Sequence, residues 1–198
     1  MMKSINNATK LNEGLLSYKE NTKLVKSTTY SDSIMLYTKD KSYKSFNSLI
    51  TAVSGLTNDL FIEGIPHKGA IAFGKMTLDT ERSIFFGQPL IDSYLLQEEL
   101  HFYGIVIHGS VEEKLQLKLN QTGFISKYNC PLKNGKSTHY TVFPMHANSI
   151  NSEDNGYVEY YKKIRSSLDK MKYKTSGHLR RYIDNSNDYL ESIAENAK

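Results

Sequence analysis

The chain has 198 residues, 39% of them hydrophobic and 23% charged, with 14 Tyr, 8 Phe and no Trp; this globular composition excludes a disordered or fibrous protein. The length fits one domain with a sizeable core, alone or with a helical extension, and is too short for two ordinary domains. The formal charge of +4 comes from lysines spread along the chain, densest from Lys162 to Arg181, which permits attraction to polyanions but is ordinarily a solvated helix face.

The single cysteine, Cys130, excludes an intramolecular disulfide framework and a multi-cysteine zinc site, and fits a reducing compartment. No run approaches the roughly 18 apolar residues that span a bilayer, and the N-terminus has no apolar signal core. A cytoplasmic protein without a membrane partner is expected.

In chain order, Ile5, Ala8, Leu11, Leu15 and Leu16 follow helical spacing up to about Tyr18. Lys23 to Tyr30 and Ser33 to Thr38 are β-prone and bracket Ser31-Asp32, which predicts a hairpin with an aspartate at its tip. Ser42 to Glu63 carries apolar residues at three- and four-residue steps and is followed by Gly64, a helix with its stop signal. Lys68 to Leu78 and Arg82 to Phe86 read as a second hairpin containing Gly69 and Gly74.

Pro89 to Leu100 predicts a helix with proline in its first turn, leading to an apolar strand, Gly104 to His108. A helix from Val111 to Gln121, a hairpin turning at Lys133 to Lys136 and two charged helices, Tyr157 to Lys174 and Gly177 to Ala194, complete the chain. The polar link Ala147 to Asn155 divides it into residues 1–147 and a helical C-terminal extension, 148–198. The expected architecture is α+β, an antiparallel-rich sheet with helices on one face.

Three segments in this order carry a resemblance: Tyr30-Ser31-Asp32-Ser33-Ile34, then after a long helix Pro66 to Gly74, then Phe85 to Tyr94. Together they are similar to the catalytic domain of class III nucleotidyl cyclases, and most like the bacterial pyrimidine cyclases of Pycsar antiphage systems, which make cyclic CMP or cyclic UMP. The resemblance covers roughly Ile5 to Val111. It implies a ferredoxin-like βαββαβ core, here followed by a C-terminal hairpin and a two-helix extension, and a homodimer with active sites at its interface. The implied reaction cyclises UTP or CTP to a 3′,5′-cyclic monophosphate and pyrophosphate, with Mn2+ or Mg2+ as cofactor. A separate effector that senses the cyclic nucleotide is the implied downstream partner in antiviral defence.

The same resemblance makes Asp32 a metal ligand, since the chemistry needs hard divalent ions held by oxygen donors. It makes Thr28 and Ile84 the base-selecting positions; neither fits the polar pairs of purine cyclases, which favours a pyrimidine enzyme or a degenerate one over a purine-specific one. Ser31 beside the aspartate and Lys68, where the family usually has Arg, become nucleotide-binding candidates. Ile91 and Leu95 stand where many class III cyclases have an Asn and an Arg that stabilise charge on the α-phosphate.

No aspartate precedes Asp32, so the family's first strand, with its second metal-binding carboxylate, is missing; Glu13 and Glu20 are on or beside the wrong element. If the protein is an enzyme, an aspartate-containing strand is expected upstream of Met1. The alternative is a catalytically inactive, truncated cyclase-like domain for nucleotide binding or dimerisation. A nucleic-acid-binding domain is supported only by the basic C-terminal helices and aromatic strands such as Tyr140 to Phe143, without a paired RNA-recognition signature, so a nucleic acid partner is not favoured. The six histidines show no metal-type spacing, and no residue is assigned a catalytic role.

Overall fold

Helix α1 (Tyr43–Ile62) follows the longest apolar pattern and has clear ends in the computed structural model, which describes residues 24–79, 81–82, 84–115, 124–144 and 156–196. The Ser42 hydroxyl caps it by accepting from the Ser45 N–H at 3.1 Å. At its other end Gly64 takes a φ of 67°, and the Ile65 and Gly64 N–H groups bond the Leu60 and Phe61 carbonyls at 2.8 and 3.1 Å. These paired bonds form a Schellman stop, which needs the left-handed conformation glycine adopts cheaply. The helix expected from Ile5 to Tyr18 and the link Ala147 to Asn155 lie outside the described residues.

Strands β1 (Val25–Tyr30) and β2 (Ser33–Thr38) form the expected hairpin, a two-stranded antiparallel sheet in which Tyr30 opposes Ser33 and Thr28 opposes Met35. Four strands make the central sheet, in the order β3 (Lys68–Ile71), β6 (Gly104–Ile107), β8 (Gly135–Val142), β7 (Ile125–Leu132). Strand β3 runs parallel to β6, and the β6–β8 and β7–β8 pairs are antiparallel.

The hairpin expected from Lys68 to Phe86 divides. Only β4 (Thr77–Asp79) and β5 (Ile84–Phe86) pair with each other, whereas β3 joins the central sheet. The chain leaves β3 where the Phe73 N–H donates to the Ser110 hydroxyl at 2.9 Å. At Gly74 it then passes so close to Pro89 that a Cβ there would lie 2.7 Å from the proline Cγ. Helix α2 (Gln88–Glu99) follows, with proline in its first turn, and α3 (Gly109–Leu115) follows β6.

Both faces of the sheet are covered, not one. Ile107 of β6 and Ile71 of β3 share a core with Ile50 and Val53 of α1, Val111 of α3 and Val142 of β8; Leu36 of β2 packs against it. Val106 points the other way, into a core with Leu168 of α4 (Gly156–Tyr173) and Ile183 and Tyr189 of α5 (His178–Asn196). A strand buried on both faces reads as the continuous apolar run seen at Gly104–Ile107.

Polar bonds fix α5 on that second face. The Ser186 hydroxyl accepts from the Tyr103 N–H at 2.8 Å, the Asn185 amide donates to the His101 carbonyl at 2.7 Å, and the Tyr189 hydroxyl donates to the Val142 carbonyl at 3.0 Å. The fold is thus a mixed α+β arrangement of eight strands and five helices among the described residues. None of these helices is long and apolar enough to cross a membrane.

Candidate functional site

The β1–β2 turn presents Ser31 and Asp32 to solvent. Ser31 takes a φ of 54°, a positive value at the first turn position of a two-residue hairpin loop, rarely adopted by a residue with a Cβ. The Asp32 carboxylate makes no hydrogen bond or ion pair among the described residues. Thr28, three residue pairs back from the turn on β1, is half-buried.

Lys68 opens β3 with its side chain engaged. Its ammonium lies 3.4 Å from one Glu98 carboxylate oxygen and 6.0 Å above the centre of the Tyr182 ring. The other Glu98 oxygen is 3.9 Å from Lys133, so one carboxylate serves two lysines. Ile84 lies on β5, 45% exposed. Phe86, Ile91, Tyr94 and Leu95 are also exposed. Glycine at position 69 serves the chain's own packing, because a Cβ there would meet Ile105 Cδ1 at 2.9 Å.

Thr28, Ser31 and Asp32 therefore share one hairpin, Lys68 belongs to the central sheet, and Ile84 belongs to a third, small sheet. No hydrogen bond or ion pair among the described residues links one of these groups to another. Among the described residues no three or more His, Cys, Asp or Glu side chains converge.

Two histidines stand in unusual surroundings that spacing along the sequence does not disclose. His67 keeps slight exposure as a residue, but its Nε2 is sealed without a partner and its Nδ1 lies 2.9 Å from the Ile65 carbonyl. Burial outweighs that bond and pushes its pKa down to about 4. His101 is lowered too, first by desolvation and then by the positive charges of Arg181, Lys133 and Lys68. His108 is structural: its Nδ1 accepts from the Ser110 N–H at 3.2 Å at the start of α3. The Cys130 thiol is buried, and desolvation raises its pKa to about 12, so it is not a nucleophile at neutral pH.

No protein family, no curated protein and no solved structure matches this chain.

Proposed function

We propose that the chain is a class III cyclase-like domain acting on a pyrimidine nucleoside triphosphate as a homodimer, with Asp32 as a ligand to Mg2+ or Mn2+. The observation that carries this reading is the exposed Asp32 carboxylate, without an intramolecular partner among the described residues, on a hairpin packed against α1. Hairpin, long helix, β3, α2 and β6 follow one another along the chain where the three resembling segments lie, although β1 and β2 form a sheet of their own and the Lys68–Phe86 hairpin is divided. Strand β3 has a single strand neighbour, β6, among the described residues.

The donor set supports part of a metal site. Hard divalent ions take oxygen ligands, and Asp32 offers one. One carboxylate does not hold the pair of ions that cyclisation calls for, and the described residues supply no cluster that would complete it. That shortfall favours a second reading, a catalytically inactive domain that binds the nucleotide or a second protomer.

One experiment separates them. The purified chain is incubated with UTP, CTP, ATP and GTP and Mn2+, with Asp32→Ala as control, and 3′,5′-cyclic monophosphates are quantified alongside nucleotide binding. A pyrimidine product lost in Asp32→Ala supports the enzyme; pyrimidine nucleotide binding without product supports the inactive domain. Undiminished product from Asp32→Ala removes the metal assignment, and neither binding nor product removes the enzyme and the nucleotide-binding domain, leaving only a domain that binds a second protomer.

A further inference from the structure

The turn between α4 and α5 concentrates positive charge on a fixed scaffold. Residues 170–181 contain Lys170, Lys172, Lys174, Arg180 and Arg181 and no carboxylate. Hydrogen bonds build this turn: the Thr175 hydroxyl donates to the Met171 carbonyl at 3.2 Å, and Arg180 Nε donates to the Lys172 and Thr175 carbonyls at 3.4 and 3.2 Å. Gly177 reverses the chain with a φ of 65°. Arg180 is held through Nε, which leaves the two terminal guanidinium nitrogens to fork onto a ligand oxygen. Beside these cations Tyr173 is 85% exposed, so its ring has almost no packing role within the chain.

Next to the turn on α5, Arg181 acts on the His101 imidazole together with Lys133 and Lys68, and Glu99 opposes them. Counter-charge is partial: Glu98 serves both lysines, Glu99 acts on His101 against the cations, Lys172 is paired with Asp184, and Arg181 has no ion pair among the described residues.

We propose that this turn binds single-stranded nucleic acid, its phosphates on Lys170, Lys174, Arg180 and Arg181 and a base stacked on Tyr173. A basic track with an exposed aromatic ring matches the two needs of an unpaired strand, whose backbone is charged and whose bases have open faces. A duplex hides those faces. A lipid surface would call for a broader apolar footing than Tyr173 and Leu179 supply. This inference is independent of the cyclase reading.

The test is fluorescence anisotropy of the full chain with a labelled oligouridylate of about twelve nucleotides, as free strand and annealed to its complement. Four phosphate contacts predict that log K falls against log salt with a slope of about −3. Lys174→Glu with Arg181→Glu is expected to weaken binding at least about tenfold, and Tyr173→Ala about tenfold, the loss of one stacked base. All three side chains are exposed, so thermal melts of the variants should match the parent. The proposal is overturned by no binding at low salt, by affinity for the duplex equal to that for the strand, or by affinity unchanged on charge reversal. Capture by phosphatidylserine vesicles without oligonucleotide binding would overturn it equally.

Discussion

His67 meets Phe61 edge to face, with ring centroids 4.5 Å apart and planes at 71°, and this contact joins the end of α1 to the start of β3. The bond to the Ile65 carbonyl places the proton on Nδ1, so the sealed Nε2 is the site that would take up a second proton.

A pH dependence of stability follows. The folded pKa of about 4 lies below the ordinary 6.5, so between those values the unfolded chain binds more protons than the folded one. Stability then rises with pH through this window and is lost as pH falls from about 6.5 towards 4. The loss should be on the order of 2 kcal/mol by pH 4.5. Urea unfolding at pH 7 and pH 5 would measure it, and His67→Phe should flatten that slope. Equal slopes in the two proteins would refute a buried neutral imidazole.

The C-terminal helices supply a second test. Leu168 and Ile183 are fully buried in a core shared with Phe61, Phe102 and Val106, so α4 and α5 should unfold with the sheet. Leu168→Ala is expected to cost about 2–5 kcal/mol through lost burial and the cavity left behind. Amide exchange should show this loss in β6 as well as in α4. Loss of protection confined to residues 156–196 would instead mean that the extension folds on its own.

The sequence made local features legible. Hairpin β1–β2, α1 with its glycine stop, and the β7–β8 turn are written in contiguous residues, and their observed bounds fall close to the expected ones. The partner of β3 was not legible, because what turns the chain away is Ser110, on a segment 37 residues further on. Coverage of both sheet faces was hidden for a similar reason: α4 and α5 are mostly polar and expose their apolar stripes only when Val106 is seen to point at them. Among the candidate site residues, the exposed Asp32 tip agrees with its local pattern. Lys68 could not be read as paired, since Glu98 and Tyr182 reach it only through the fold.

Capping of α1 gives a local prediction. Ser42→Ala removes the acceptor for the Ser45 N–H and should cost about 1 kcal/mol, whereas Ser42→Asp should keep most of that stability. Thermal melts of the three proteins would check it. Asp40 adds a spectroscopic readout, because its hydrogen bonds with Ser42 hold the carboxyl below its usual range. In Ser42→Ala the Asp40 carboxyl, followed by NMR, should titrate nearer its ordinary value.

The last prediction concerns the apolar face outside β5 and α2. Ile84 and Phe86 alternate onto one side of β5, and Ile91, Tyr94 and Leu95 share a helix face by their three- and four-residue spacing. All five are exposed, at 45%, 58%, 52%, 59% and 58% in that order. Single exposed apolar residues are ordinary, and these two sets are the place where a partner surface would be sought. If the proposed homodimer forms through this face, light scattering should give twice the chain mass at tens of micromolar protein. Phe86→Glu with Leu95→Glu should then yield a monomer, because carboxylates introduced on both subunits lose hydration without gaining a partner. Both positions are exposed, so circular dichroism should show the monomeric fold unchanged. A parent protein that is already monomeric at these concentrations, or a double variant that remains dimeric, would remove this face from the dimer.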